Sequence, residues 1–365
     1  MEKFHSKKGE LIVFTLSDFP FQEYFVSSKF IFSFPYYTRN YYNDFHFFQN
    51  ALKEKTNLNQ NTVSHFARVW LRNYFVNLEL SISRKQTGFL FSDSLPFYGK
   101  DILFIGAAPI LEEQIFWIKS NQERFFILSS DTSCYPLLSQ GIRPDYILSI
   151  DASRGTIYHF RELPEDIPII TWLGANSHIF HLPNPICIYF STYPLDQVFH
   201  SVLFNREENI LKNPSLNVAG LAKTIAEKFH ANRLILSGVS FKMQSSKTHC
   251  RGTGYENYNI PRVNRFYPME SYIPVTYKNT ISSKNQLALY HLTESNHVKV
   301  IHPDDMADVK TESAIYKTKH LSLKLTDSEL KKFKKLLENR EVIREILKET
   351  GLTFHLYNRF VKILI

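Results

Sequence analysis

The chain has 365 residues with a net charge of +8 and a pI of about 9.1, and 44% of its residues are hydrophobic and 21% charged. This length allows two or three domains with a sizeable core, and the composition is that of a globular protein, which excludes a disordered or fibrous chain. The basic balance suits an anionic partner such as a nucleotide, nucleic acid or anionic lipid. Part of the excess lies in the C-terminal stretch 317–337, which is also typical of a solvated helix face.

Cysteine usage and terminal sequence indicate the compartment. Cys134, Cys187 and Cys250 lie far apart with no CxxC spacing, which argues against a disulfide framework and against a zinc knuckle. The first residues lack the apolar core and cleavage site of a secretory signal. No stretch approaches the about 20 apolar residues of a membrane span. We therefore expect a cytoplasmic protein without a transmembrane segment.

Residues 1–98 are rich in Phe and Tyr and are predicted to form a mixed accessory region. Toward its end, apolar residues recur at helical spacing and predict a helix. These residues are Val63, Phe66, Val69, Trp70, Phe75 and Leu78. Asn61 or Thr62 is the expected N-cap.

Residues 99–260 have a different pattern, in which short apolar runs alternate with helical segments. The runs are ILFIG, RFFILSS, YILSID, IPIITWL, ICIYFS and RLILSG. Each is apolar almost throughout, as in strands that are buried on both faces. Strand and helix at this spacing predict an α/β domain with a doubly wound, mostly parallel, Rossmann-like sheet.

Residues 261–365 are predicted to form an irregular segment followed by a helical C-terminal region. Thr326 and Glu329 have the spacing of a capping box. The helix that they begin is expected to continue to about Thr350, with Gly351 as its C-cap.

Small or polar residues follow nearly every predicted strand. In doubly wound sheets, ligands bind beyond the carboxyl ends of the strands, so these residues are the candidates for a polar crevice. They are Gly106, Ala107, Ala108 and Pro109 after the first strand, Asp131 and Thr132 after the second, Asp151 and Ser153 after the third, Asn176 after the fourth, Thr192 after the fifth, Gly238 and Ser240 after the last, and Thr248 and His249 in the loop beyond it.

The loop after the first strand has the position of a phosphate-binding loop. Such a loop would hold phosphate with backbone N–H groups at a helix N-terminus, and Gly106 would allow close approach. Glu112 and Glu113 in the first helical turn would repel a phosphate placed nearby. The motif is weak when judged by its residues alone.

Four stretches resemble successive blocks of the MptE-like family. They are GKDILFIGAAPILEE, LSSDTSCYPLLSQGIRPDYILSID, LNVAGLAKTIAEKFHANRLILSGVSF and KTHCRG. This family covers archaeal 6-hydroxymethylpterin diphosphokinases and the central domain of bacterial motility-associated factor (Maf) glycosyltransferases. The resemblance spans roughly residues 99–254. The upstream stretch ARVWLRNYFVNLE is similar to the segment that precedes this domain in the Maf group, which favours that branch.

The resemblance implies transfer of a nonulosonic, sialic-acid-like sugar from a CMP-linked donor to a hydroxyl of a protein acceptor such as flagellin. We expect no tightly bound cofactor, no metal and no nucleic-acid partner. By position, Gly106 and Pro109 would belong to the nucleotide loop, and Asp131 and Asp151 would line the donor crevice. Thr248 and His249 match the late Thr-His of the family. His249 is then the candidate base, Asp131 or Asp151 the stabilising carboxylate, and Arg251, Tyr255 and Tyr258 the candidate phosphate contacts.

Two blocks depart from the family pattern. Gly-x-Gly-Pro-Ser-Leu is replaced by the stretch 106–111, in which Ala108 and Ile110 take the places of the second glycine and the serine. The late Gly-x-Asp ends in Ser240. A methyl group at Ala108 is compatible with the loop if the φ angle there is negative.

Three other interpretations stay open. A pyrophosphokinase would need ATP, Mg²⁺ and several carboxylates, of which Asp131, Asp145 and Asp151 could supply some. The altered loop and Ser240 also fit a degenerate protein that binds a nucleotide or partner without turnover. Nucleic-acid binding has only charge and aromatic content in its favour.

Overall fold

The computed structural model describes residues 68–90, 98–191, 217–240, 248–268, 298–301 and 323–341. It also describes short pieces at 11–12, 31–32, 196, 199–200, 204, 210–211 and 343–344. The predicted N-cap at Asn61 or Thr62, the helix positions Val63 and Phe66, and the candidate site residue Thr192 lie outside these ranges.

The described strands and helices alternate over the middle of the chain. The strands are β1 Leu11–Ile12, β2 Ile31–Phe32, β3 Thr87–Phe89, β4 Asp101–Ile105, β5 Phe126–Ser130, β6 Tyr146–Leu148, β7 Ile169–Thr171, β8 Ile186–Ile188, β9 Phe190–Ser191, β10 Ile210–Leu211, β11 Arg233–Ser237 and β12 Lys299–Ile301. The α-helices are α1 at 68–83, α2 Leu111–Asn121, α3 Asp131–Ser139, α4 Val218–Lys228, α5 Gly254–Asn259 and α6 Asp327–Glu338. Two 3₁₀ segments near the site are Arg154–Phe160 and Ser177–His181.

The main sheet has eight strands in the order β12-β11-β4-β5-β6-β7-β8-β3. Every pairing in it is parallel. The chain runs from β4 outward to β8 and then returns to place β11 on the other side of β4. The predicted α/β sheet is confirmed, and its topological switch point lies between β4 and β11.

Helices cover both faces of this sheet, which explains the continuous apolar runs. On β4, Leu103 and Ile105 pack in one core cluster with residues of α2. Ile102 and Phe104, which alternate with them, belong to a second cluster that includes residues of α4. All five residues of β4 are buried, as the apolar run predicts.

The edge strand β3 was not predicted from the sequence. It is a three-residue segment, Thr87–Phe89, that pairs with β8, and all three residues are buried. The strand is too short, and its central glycine too untypical of strands, for the sequence to show a strand pattern. The helix just before it, α1, is confirmed over its described part.

The C-terminal region is partly as predicted. The hydroxyl of Thr326 accepts a hydrogen bond from the Glu329 amide, and the Glu329 carboxylate accepts one from the Thr326 amide, so the capping box is present. This helix ends at Glu338, and helical residues resume at Arg340 after a turn at Asn339. The predicted end near Thr350 and the predicted C-cap Gly351 lie outside the described residues. The side chain of Asn339 donates to the Lys335 carbonyl at 2.8 Å, and this bond satisfies an acceptor of the last turn.

The three cysteines are buried thiols, as their spacing predicts, and none of them is half of a disulfide. Within the described residues, no helix has the length and apolar character needed to cross a bilayer.

Candidate functional site

The loops after β4 and β11 are joined by backbone hydrogen bonds at the switch point. The Gly106 amide donates to the Ser237 carbonyl and the Ala108 amide donates to the Gly238 carbonyl, both at 2.8 Å. The side-chain oxygen of Gln114 in α2 accepts from the Gly238 amide at 2.9 Å. These donors of the predicted phosphate loop therefore bind the neighbouring loop of the protein.

The β4 loop also supports the loop that carries His249. The Cys250 amide donates to the Ala107 carbonyl at 2.8 Å. The Arg251 amide donates to the carboxylate of Glu112 at 2.8 Å. Glu112 thus has a structural partner in the late loop. The β4 loop holds the residue next to His249 against the carboxyl end of the sheet.

Asp131 begins α3 directly after β5 and is 7% exposed. One of its carboxylate oxygens accepts from the Thr132 amide at 2.6 Å and from the Thr132 hydroxyl at 3.0 Å. The other accepts from the Ser149 hydroxyl at 2.6 Å. Three donors fix this carboxylate, which is the usual condition for a buried charge.

Asp151 follows β6 and is held by a local turn. Its carboxylate accepts from the amide of Ser153 at 2.9 Å and from the hydroxyl of Ser153 at 2.8 Å. Its carbonyl accepts from the Asn176 amide at 3.0 Å, and the Asn176 side chain donates to the Ser153 carbonyl at 2.5 Å. Asn176 therefore links the loop after β7 to the segment that carries Asp151.

Tyr255 in α5 lies in contact with two histidines. The ring of His159 is 4.7 Å from the Tyr255 ring between centroids, with the two planes at 75°. The ring of His249 is also 4.7 Å from it, with the planes at 38°. The His249 Nδ1 atom lies 3.0 Å from the Thr248 hydroxyl, so this nitrogen is engaged in the late loop.

Electrostatic interactions join this aromatic group to the two carboxylates. Burial, and secondarily the positive charge of His159, lowers the pKa of His249 to about 4. Burial also lowers the pKa of His159, while the negative charges of Asp131 and then Asp151 oppose that shift. The pKa of Tyr255 is raised, first by burial and then by Asp151 and Asp131. Both imidazoles are therefore neutral near pH 7 in the ligand-free protein.

The structure brings Asp131, Asp151, His249 and Tyr255 together, and it also places their direct neighbours. Thr132 and Ser153 hold the carboxylates, Thr248 touches the His249 ring, Pro109 is buried and Ser240 is half-buried. Two candidate phosphate contacts are exposed or paired within the protein. The Arg251 side chain is exposed, and Tyr258 accepts from Arg262, whose guanidinium lies 4.0 Å from the ring centroid.

Asp145 does not join the other two candidate carboxylates of the kinase interpretation. It precedes β6, whereas Asp151 follows it, so the two lie at opposite ends of that strand. The Asp145 carboxylate accepts from the Ile127 amide at 2.7 Å. In the described part of the chain, no group of three or more His, Cys, Asp or Glu residues is placed to hold a metal ion.

His159 was missed in the sequence. It lies in the 3₁₀ segment Arg154–Phe160, which has neither a helical nor a strand period. The one available signal was its position in the segment that directly follows Asp151 at a strand end. Gly106 and Asp131 were found because they follow clear strands, and His159 has no such marker.

Helix α1 supports the site through hydrogen bonds to the loop after β7. The side chain of Asn77 donates to the carbonyls of Leu173 at 2.7 Å and Ala175 at 3.0 Å. Asn73 donates to the carbonyl of Gly174 at 3.2 Å. These buried bonds fix the loop after β7, which in turn holds Asp151 through Asn176.

Comparison with known proteins relates this domain to one family. Residues 70–246 match the family model described as 6-hydroxymethylpterin diphosphokinase MptE-like. Two uncharacterized proteins of Treponema pallidum (strain Nichols) are similar to the chain. One is 30% identical over 89 residues, which are 24% of this chain and 39% of the relative. The other is 23% identical over 243 residues, which are 63% of this chain and 41% of the relative. The matched regions thus span about two fifths of the length of each relative.

Among solved structures, the chain is similar to a Maf glycosyltransferase from Magnetospirillum magneticum AMB-1. The TM-score is 0.40 and the sequence identity 15%, over 61% of this chain and 41% of that one.

Proposed function

We propose that the chain is a glycosyltransferase of the Maf branch, a proposal supported by the match of residues 70–246 to the MptE-like family model. It transfers a nonulosonic sugar from a CMP-linked donor to a protein hydroxyl, with flagellin as the expected acceptor. One observation carries the proposal: His249 lies beside Tyr255 at the end of the sheet where Asp131 and Asp151 converge. A neutral imidazole and a pair of fixed carboxylates are the groups that this reaction needs.

His249 acts as the general base. Its imidazole is neutral near pH 7 because burial lowers its pKa. In the tautomer in which the Nδ1–H group donates to the Thr248 hydroxyl, Nε2 is unprotonated and takes the proton of the acceptor hydroxyl. The acceptor oxygen forms a bond to the anomeric carbon, and the bond from that carbon to the phosphate oxygen breaks with its electron pair moving to the phosphate.

Asp131 and Asp151 stabilise the sugar as positive charge develops on it. Both carboxylates are already oriented by hydrogen bonds, Asp131 by Thr132 and Ser149, and Asp151 by Ser153. Such preorganised groups need no rearrangement when the charge appears. Asp151 and Ser153 are half-buried, which gives the donor access to this carboxylate from solvent.

Two measurements test this function. First, CMP should raise the thermal stability of the full chain, since a ligand at 100 times its Kd stabilises the folded state by about 2.7 kcal/mol. Cytidine is the matched control without the phosphate, and ATP with Mg²⁺ tests the pyrophosphokinase alternative. Stabilisation by ATP with Mg²⁺ but not by CMP would replace the glycosyltransferase proposal with the kinase.

Second, His249→Ala should reduce transfer from a CMP-nonulosonate to flagellin by about 10²–10⁴-fold while the fold is kept. His181→Ala is the control, because His181 is an exposed residue of the 3₁₀ segment Ser177–His181. CMP binding without any turnover in the unmodified chain would indicate the non-catalytic alternative.

A further inference from the structure

His159 is a buried histidine with an unused hydrogen-bonding atom at the centre of the candidate site. Its side chain is 2% exposed, and its Nδ1 atom has no hydrogen-bond partner. Buried polar atoms of this kind are rare and call for a functional or structural reason. Packing alone does not provide one, because an apolar side chain of similar size would fill the same space.

The position of His159 is enforced from the side of α5. A Cβ atom at Gly254 would lie 2.6 Å from the His159 Nδ1 atom and 2.6 Å from the Tyr158 carbonyl oxygen. Only glycine allows the start of α5 to approach the 3₁₀ segment this closely. The close approach of α5 thereby holds the His159 ring against Tyr255.

The two histidines differ in their charged surroundings. The groups that act on His159 are Asp131 from α3, Asp151 from the loop after β6, and Tyr255 and His249 from the late segment. Both carboxylates favour a positive charge on His159. A positive charge on His159 lowers the pKa of His249 and so disfavours a second positive charge there. The pair can therefore hold one proton, and His159 is the better place for it.

We propose that His159 carries the positive charge that contacts the donor phosphate, while His249 stays neutral and receives the acceptor proton. This assignment rests on the proposed function. A CMP-linked donor brings an anionic phosphate to a site that already contains two carboxylates. The repulsion is relieved when a proton from solvent binds to His159 together with the donor.

The proton balance of the step is as follows. Because Nδ1 lies against the start of α5 at Gly254, protonated His159 donates a hydrogen bond from Nε2 to the phosphate oxygen that gains the electron pair as the sugar bond breaks. The acceptor proton goes to His249 Nε2, so His249 becomes charged only after the new bond has formed. The proton on His159 stays there until CMP leaves, when both histidines return to the neutral form.

Calorimetric titration of the full chain with CMP tests this assignment. Measurements in two buffers with different ionisation enthalpies give the number of protons taken up. The titrations are made at pH 7 and pH 8, where a phosphate monoester with a second pKa of about 6 is a dianion. We expect about one proton per CMP and a Kd that rises about tenfold from pH 7 to pH 8. Cytidine should bind without proton uptake.

Variants separate the two histidines. His159→Gln keeps a donor group of similar reach but carries no charge. It should bind CMP about tenfold more weakly at pH 7 and without proton uptake. His249→Gln should keep the proton uptake and lose transfer. Wild-type affinity and uptake in His159→Gln, or loss of uptake in His249→Gln alone, would overturn the assignment.

A direct readout remains if His159→Gln fails to fold. In the unmodified chain with ¹⁵N-labelled histidine, CMP should move the His159 ring signals to the imidazolium position. A neutral His159 ring in the CMP complex would overturn the inference. Failure of this inference alone is recognisable, because the unmodified chain would then still bind CMP and transfer the sugar. If it does neither, the proposed function fails as well.

Discussion

The backbones of Gly106 and Gly238 lie so close together that neither residue has room for a side chain. A Cβ atom on Gly106 would lie 2.5 Å from the Gly238 carbonyl oxygen, and one on Gly238 would overlap the Gly106 carbonyl. Gly238 also has a φ angle of +55°. The first glycine of the β4 loop is therefore required by the neighbouring loop, before any phosphate is considered.

Gly106→Ala should destabilise the fold. Inserting a methyl group into a tight backbone contact typically costs about 1–3 kcal/mol, which urea denaturation would measure. Gly155→Ala is the matched control, because the nearest atom to a Cβ there is the Ser153 hydroxyl oxygen at 3.9 Å. Equal stability of the two variants would mean that the β4 and β11 loops separate at no cost.

Ala108→Gly, which restores the family glycine, should bring no gain in CMP affinity. The φ angle of Ala108 is not positive, so alanine adopts this backbone conformation freely. The backbone condition for a methyl group at this position is therefore met. Added backbone freedom in the unfolded chain should lower stability by about 0.4–1 kcal/mol. An increase in CMP affinity would show instead that the methyl group blocks the donor.

Asn77→Ala should lower the free energy of unfolding by about 2–3 kcal/mol, since it leaves buried carbonyl groups unpaired. Asn77 is fully buried and donates to both Leu173 and Ala175. Asn121→Ala is a suitable control, because Asn121 donates at 2.9 Å to the carbonyl of Trp117 within its own helix. Denaturant titration compares the two. A similar small loss in both would mean that the β7 loop does not depend on α1.

Stability should fall as the pH is lowered from about 6.5 toward 4. His249 has a pKa of about 4 in the folded protein, below its usual value of 6.5, and that of His159 is lowered as well. In this window the unfolded chain binds more protons than the folded one, so acid favours unfolding. Each such histidine contributes a slope of up to about 1.4 kcal/mol per pH unit.

His249→Asn should flatten this dependence, as measured by urea unfolding at several pH values. An unchanged slope in His249→Asn would mean that the His249 ring is as well solvated in the fold as in the unfolded chain.

The fold was predictable where burial leaves a mark on the sequence. The runs that became β4, β5 and β11 are apolar on both faces because helices cover both faces of the sheet. The strand β3 was not predictable, because three residues with a central glycine carry no period. Its place at the edge depends on pairing with β8, far along the chain.

The candidate site was predictable in part. Asp131 and Asp151 follow strands, and parallel strands bring such residues to one edge. His159 and its contact with Tyr255 depend on how a 3₁₀ segment meets a short helix across the glycine at 254, and no local rule encodes that meeting. The sequence also could not predict that the β4 loop binds the β11 loop. A glycine that approaches a phosphate and a glycine that approaches another backbone look the same in sequence.

Helix α1 sets the smallest piece of this chain that can be expected to fold alone. Trp70 and Tyr74 pack edge-on against Trp172, at 5.8 and 5.7 Å between ring centroids. A fragment that begins at residue 99 would expose Trp172 and lose the edge strand β3. It would also leave carbonyls of the loop after β7 without the side-chain amides of Asn73 and Asn77. Fragments for expression or crystallisation should therefore begin upstream of α1, and a fragment cut at the start of β4 is expected to aggregate through the bared edge of β8.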